Sequence, residues 1–391
     1  MGITLSHSSA LAVIRILRTE GVNIHEMDSM AIARPSTWVG KRWTMREFEP
    51  STWRWPQPTR KEHLHVVVPK GARYVRMSTV ETHELWGDNA SVSALWVDSH
   101  ASIVCPELLF LQMAQVLPLP SLVMLGYELC GNFSRDAYDP VGGEATINIP
   151  TATSVALLAE FLAASAGARG VTKARKALEY ISDNALSPME ALLGAVYSLP
   201  PEESGYGMGP ITLNERMTVE EPDESNRTQA RYPDLSFSFA PVGLNYDGEG
   251  HLDLAGLVRA ARKAALAEGK DRAEAEATLR EELESVRAKV VDDNKRNRQL
   301  AACGRIVFPV TKEDVYGWDS LDKFTRQILQ CAHSVFGINI DRFVKILEDT
   351  DRKHDRYALL TAFLPSGAPL RKDLTDTAAT EALPKTNSAK S

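Results

Sequence analysis

Two aspartates and an asparagine fall close together in the stretch from Arg231 to His251, RYPDLSFSFAPVGLNYDGEGH. Asp234 opens a run in which Leu235, Phe237 and Phe239 alternate with Ser236 and Ser238, the period of a strand. Ala240-Pro241-Val242-Gly243 breaks the run, Gly243 to Tyr246 resumes it, and Asp247-Gly248 closes it with turn chemistry. Asp234 thus belongs to one strand, and Asn245 with Asp247 to the end of the next. Adjacent strands lie about 5 Å apart, so these oxygens can converge on one metal ion.

Such a pair of strands needs elements to hold it. Ser187-Pro188-Met189-Glu190 opens a predicted helix through Tyr197, with Ser at the N-cap, Pro in the first turn and Glu at the third position, which is a capping box. On the other side, Asp293, Arg296 and Leu300 fall on one helical face. Leu300 would anchor that helix in the core, Gly304 would end it, and Ile306 to Val310 would form a buried strand. Arg296, with Lys295 and Arg298 beside it, could address a phosphate; an Asp293–Arg296 pair on an ordinary helix accounts for the same residues.

The order helix with Glu190, strand with Asp234, strand with Asp247-Gly248-x-x-His251, helix with Asp293-x-x-Arg296, then strand resembles the core of restriction-endonuclease-like PD-(D/E)XK nucleases. It is most similar to the group that includes the very short patch repair endonuclease. Pro233-Asp234 stands as the PD. Members of that group tend to read Glu-x-Asp-Gly-x-x-His in the second strand; here Asp247, Gly248 and His251 fall in place, and Asn245 stands where the glutamate would be. The resemblance implies an α/β fold, with a restriction-endonuclease-like mixed sheet flanked by helices. It also implies an Mg²⁺ site built from Asp234, Asp247, Glu190 and Asn245, and His251 as general base or phosphate ligand. Such a metal stabilises charge on a scissile phosphate and lowers the pKa of its bound water. Asn245 can still coordinate through its carbonyl oxygen, with one negative charge fewer, and no lysine of the ExK type is present. The middle of the chain, with its strand-then-helix text from Leu64 and the helices after Ile103, resembles abortive-infection antitoxin (AbiEi) proteins. That likeness implies a setting in phage defence or a toxin–antitoxin pair.

The rest of the chain sets bounds. With 391 residues there is length for two or three domains, and 44% hydrophobic and 24% charged residues are ordinary for a globular protein. The net charge of −7 means that DNA would have to be met by a local basic patch. One candidate patch is Trp38 to Arg76, where lysines and arginines are interleaved with Trp38, Trp43, Trp53 and Trp55; a small sheet with a tryptophan core fits that text as well. The four cysteines form no CxxC pair and read as reduced thiols of a cytoplasmic protein. No run is long and apolar enough for a membrane span, the stretch Ala10–Leu17 being interrupted by Arg15. Gly205, Gly207 and Gly209 lack the pattern of a phosphate-binding loop, so no nucleotide cofactor is expected.

The expected organisation is an N-terminal helix from Ser6 to Glu20 with a small basic β-rich region (1–100) and a helical middle (101–186). A restriction-endonuclease-like domain follows (187–318), with a charged helical insertion at about 253–290 broken near Gly269. Next come C-terminal helices (319–364) and a polar, disordered tail (365–391). The α+β start and the helical end frame the nuclease-like part. Two readings follow. One is an Mg²⁺-dependent DNA endonuclease; the other is a catalytically inactive nuclease-like fold that binds DNA or a protein partner.

Overall fold

The computed structural model describes residues 3–32, 58–68, 78–85, 93–98, 101–220, 228–247, 254–267 and 269–364. The expected basic and aromatic stretch falls mostly outside them, as do His251 and the tail. The described residues divide into two compact units: one runs to Leu213 and takes in the chain again from Ala358, and the other runs from Asn214 to Tyr357.

The first unit begins with strand β1 (Ile3–Leu5) and helix α1 (His7–Thr19), followed by β2 (Ser29–Ala31), β3 (Leu64–Val68), β4 (Val80–Glu84), β5 (Ser93–Trp96) and β6 (Ala101–Val104). These strands make a mixed six-stranded sheet in the order β2-β5-β6-β1-β3-β4. The two inner pairings of β1 differ in sense, antiparallel to β3 and parallel to β6. At the far edge β4 runs parallel to β3, with His65 opposite Glu81 and Val67 opposite His83. Helix α1 is amphipathic as its spacing requires and buries Ala10, Leu11, Val13 and Ile14.

Helices α2 (Pro106–Met113) and α3 (Leu119–Cys130) are apolar on nearly every side, and nearly every residue of both is buried. Pro106 takes the first turn of α2, where its missing N–H costs nothing. A two-stranded ribbon of β7 (Phe133–Ser134) and β8 (Thr146–Ile147) follows. Two helices follow, α4 (Val155–Ala164) and α5 (Val171–Leu178), separated at the Gly167–Gly170 break. Helix α6 (Pro188–Ser198) then packs on α3 so closely that a Cβ on Gly194 would lie 2.8 Å from the Tyr127 hydroxyl. Strand β9 (Ile211–Leu213) ends the unit.

The second unit opens with an antiparallel pair, β10 (Met217–Glu220) and β11 (Thr228–Arg231). Strands β12 (Leu235–Phe237) and β13 (Val242–Asp247) pair antiparallel, Leu235 facing Leu244. The chain then crosses through α7 (Leu254–Leu266) and the 34-residue α8 (Gly269–Ala302) to β14 (Ile306–Thr311), which lies parallel to β13. A parallel pair requires such a crossover. Pro309 interrupts no ladder because β14 is the edge strand. Helices α9 (Lys312–Tyr316), α10 (Ser320–Phe336), α11 (Asp341–Glu348) and the first turns of α12 (Thr350–Phe363) complete the unit. Phe308 of β14 meets Phe324 of α10, and Phe239 meets Phe343 of α11, so these helices pack on the sheet. A buried, bidentate Arg356–Asp322 pair joins α12 to α10. The chain is therefore a mixed α/β protein with several sheets flanked by helices. Among the described residues no helix is long and apolar enough to cross a membrane.

Candidate functional site

Asp234 and Asn245 meet across the β12–β13 hairpin. The Asp234 backbone N–H donates to the Asn245 side-chain oxygen at 3.2 Å, and the Asp234 carboxylate accepts the Tyr246 backbone N–H at 2.6 Å. The Asn245 amide N–H donates in turn to the Asn297 side-chain oxygen on α8 at 3.4 Å. With 2% exposure, Asn245 has both amide atoms engaged inside the protein. Asp234 is half-buried. Asp247, two residues along β13 and so on the face of Asn245, is half-buried and pairs in register with Thr311 of β14. His251 lies outside the described residues. Glu190 belongs to the first unit, whereas Asp234, Asn245 and Asp247 belong to the second.

Helix α8 supplies the other side of this region. Leu300 is fully buried and anchors the helix, and Asp293 pairs with Arg296 at 3.0 Å on the turn before, as the spacing implied. The Arg296 Nε is buried without a hydrogen-bond partner. Lys295 and Arg298 are exposed. The sequence reading did not single out Arg231, which is buried, grips Asp292 through both terminal nitrogens at 3.3 and 3.1 Å, and donates from Nε to Gln299 at 2.7 Å. These bonds fix α8 against β11 and so hold Asn297 near the hairpin.

Glu190 sits at the start of α6, capped by Ser187, but its carboxylate reaches the Ser187 hydroxyl and the Leu186 N–H and not the N-cap N–H of the expected capping box. The Ser187 hydroxyl accepts the Glu190 N–H at 3.2 Å and donates back to one Glu190 oxygen at 2.9 Å. The other oxygen accepts the Leu186 N–H at 2.9 Å. The carboxylate thus serves the helix start.

A second constellation stands in the first unit and was missed in the sequence. Among the described residues, one group of three or more His, Cys, Asp or Glu side chains gathers with its potential ligand atoms within 4.8 Å of one another: His7, His65 and His83. His7 is the first residue of α1; His65 and His83 come from the parallel pair β3–β4. His65 Nδ1 and His83 Nε2 face each other at 2.8 Å, and the His7 ring stacks on His83 with 3.7 Å between centroids. Burial, then the neighbouring rings of His83 and His65, pushes His7 down to about 3, and burial also lowers His65 and His83. Neutral imidazoles are the form that binds metals. The available signal was the period-two spacing of His63-x-His65 and Glu81-x-His83, which puts four polar groups on one face of two strands. It becomes meaningful only once β3 and β4 are known to pair. Beside this cluster, a cleft of about 470 Å³ is lined by Ser8, Ser9, Arg15, Glu62, His63 and Tyr138, among others.

No family model, no curated protein and no solved structure matches the chain.

Proposed function

We propose that the part of the chain from Glu190 to Thr311 is a restriction-endonuclease-like module that binds DNA without cutting it. The element order supports this reading: a helix, strands ending in an antiparallel hairpin, then a helical crossover to a strand parallel to β13. The observation that carries the loss of cleavage is Asn245. It occupies the place of the metal-binding acid, it is buried, and its carboxamide already serves Asp234 and Asn297. An Mg²⁺ ion keeps near-ideal octahedral oxygen geometry and relies on carboxylate charge. To ligate one, Asn245 would have to share its oxygen with the Asp234 N–H, and it would still bring no charge. Exposed Lys295 and Arg298 and half-buried Arg296 on α8 are the phosphate-facing cations of this proposal. With a net charge of −7 the attraction is local and strongly dependent on salt. An Mg²⁺-dependent endonuclease is the competing reading, favoured by the retained Asp234 and Asp247.

The two are separated by plasmid nicking in Mg²⁺ or Mn²⁺ and by gel shift in chelator. The expected results are no nicking by the wild type, nicking by Asn245→Glu that is lost again in Asp234→Ala/Asn245→Glu, and a metal-independent shift of duplex DNA. Removing Lys295 or Arg298 should weaken the shift evenly across sequences and lower the salt slope by about one for each phosphate that is no longer neutralised. Wild-type nicking abolished by Asp234→Ala would establish the enzyme instead. Failure to shift DNA at low salt would refute the binding role.

A further inference from the structure

We propose that His7, His65 and His83 form a zinc(II) site in the first unit. The three imidazoles come from a helix start and two paired strands, and no local sequence pattern obliges them to meet, yet their ligand atoms lie within 4.8 Å of one another. A merely packed cluster would be better served by apolar side chains, since half-buried imidazoles carry polar nitrogens that need partners. His65 Nδ1 and His83 Nε2 point at each other at 2.8 Å, which is closer than the about 3.3 Å that follows for two nitrogens on one tetrahedral zinc with bonds of about 2.0–2.1 Å. Opening that gap by about half an ångström, in rings that are 20% and 22% exposed, and turning the His7 ring out of its stack on His83 so that both lone pairs meet one ion, are the side-chain adjustments the site requires.

The surroundings are those of a metal centre. His7 Nδ1 faces the Ser6 hydroxyl at 3.2 Å, an outer partner that orients the ring and leaves Nε2 to serve as the ligand. The Glu81 carboxylate lies 3.8 Å from His65 Nδ1 and 4.0 Å from His83 Nε2, so a small turn of this half-exposed side chain supplies a fourth, oxygen ligand. His7 holds a left-handed backbone, φ 48°, which a non-glycine residue adopts at some cost; its N–H is fixed there by the Gln112 side chain at 3.3 Å. Nitrogen ligands with one carboxylate select zinc over magnesium. Bound there, the ion ties the start of α1 to β3 and to the edge strand β4.

The test uses the full chain stripped by chelator, its thiols alkylated so that Cys303 and Cys331 take no metal. Zn²⁺ is titrated by calorimetry, and Co²⁺ is followed by its visible spectrum. The wild type should take up one equivalent of either ion, with the intense visible bands of tetrahedral cobalt. His65→Gln and His83→Gln should each weaken Zn²⁺ by more than the ~10–100-fold typical of losing an outer partner. His63→Gln, which faces Glu81 but is outside the three, should bind as the wild type does. His83 lies on the edge strand, so the fold of His83→Gln, checked by circular dichroism, makes that variant decisive if His65→Gln fails to fold. Uptake unchanged in His83→Gln, or no uptake by the wild type at micromolar Zn²⁺, overturns the proposal.

Discussion

The Asp234 carboxylate accepts the Tyr246 backbone N–H at 2.6 Å, so the acid just before β12 fastens the hairpin that β12 makes with β13. Stability should therefore separate two substitutions that remove the same charge. Asp234→Asn keeps an oxygen acceptor and should cost less than about 1 kcal/mol, whereas Asp234→Ala removes the acceptor and should cost about 1–3 kcal/mol. Urea unfolding measures both. Equal losses would show that the hydrogen bond is not what the carboxylate contributes.

Asn245 makes the complementary case. Asn245→Asp places a carboxylate at a 2% exposed position, where the Asp234 backbone N–H can still donate to it but the Asn297 oxygen faces it as a second acceptor. In chelator this variant should be less stable than the wild type by about 1–3 kcal/mol, the cost of a poorly matched buried polar group. Mn²⁺ or Mg²⁺ should restore part of that loss, because an ion that binds only the folded state stabilises it by mass action. The wild-type melting temperature should not respond to the same ions through this hairpin. A variant whose melting point ignores divalent cations would argue against a latent metal position between these strands.

How much of this was legible in the sequence depended on how local the pattern was. The helix start at Ser187-Pro188-x-Glu190 and the anchor at Leu300 were readable because capping and helical spacing act within a few residues. The strand β13 and the existence of β14 followed from turn residues and a stop at Gly304, but β14 is a half-buried edge strand and not the buried strand expected, because Val307 and Val310 alone of its residues are buried. The alternation at Leu235-Ser236-Phe237 misled in one respect: Ser236 is buried with both neighbours, because β12 is covered on both faces. The expected insertion does divide near Gly269, into α7 and the start of α8, but its second part runs on into the Asp293–Leu300 motif as one continuous helix. Weak periodicity gave no hint of that, because α8 packs along α7 with a narrow buried face that includes Ala275 and leaves most of its side chains exposed. The histidine cluster was illegible for the opposite reason. Its members are single residues that only a non-local strand pairing brings together.

Glu190 offers a prediction that divides helix capping from metal binding. As the third residue of α6, with its carboxylate bonded to the Ser187 hydroxyl and the Leu186 N–H, its replacement by Ala should cost about 1–3 kcal/mol, and by Gln clearly less. Neither loss should depend on divalent cations. Thermal unfolding with and without Mg²⁺ checks this. A cation-dependent difference confined to Glu190→Ala would mean that the carboxylate does more than start α6.

The Arg15–Glu128 pair sets the acid limit of the first unit. Arg15 donates two bonds to the Glu128 carboxylate, at 2.8 and 2.7 Å, and the Arg135 backbone N–H adds a third at 3.1 Å. Burial alone would push this carboxyl up; the Arg15 guanidinium, with those bonds, outweighs it, and the net shift is downward from the ordinary 4.5. A carboxyl whose folded value lies below its unfolded one binds fewer protons in the folded state as acid is added. Its contribution is therefore fully present above the unfolded value of 4.5 and is lost as pH falls toward and through the lower, folded value. Glu128→Gln should destabilise the protein at neutral pH by about 3–5 kcal/mol, the penalty for leaving a buried charge without its partner. The gap between wild type and variant should stay constant down to the unfolded value and then narrow with further acid. Urea unfolding of both proteins across that range tests the sign: a gap that widens as pH falls would mean that the carboxyl is held protonated, not ionised, in the folded chain.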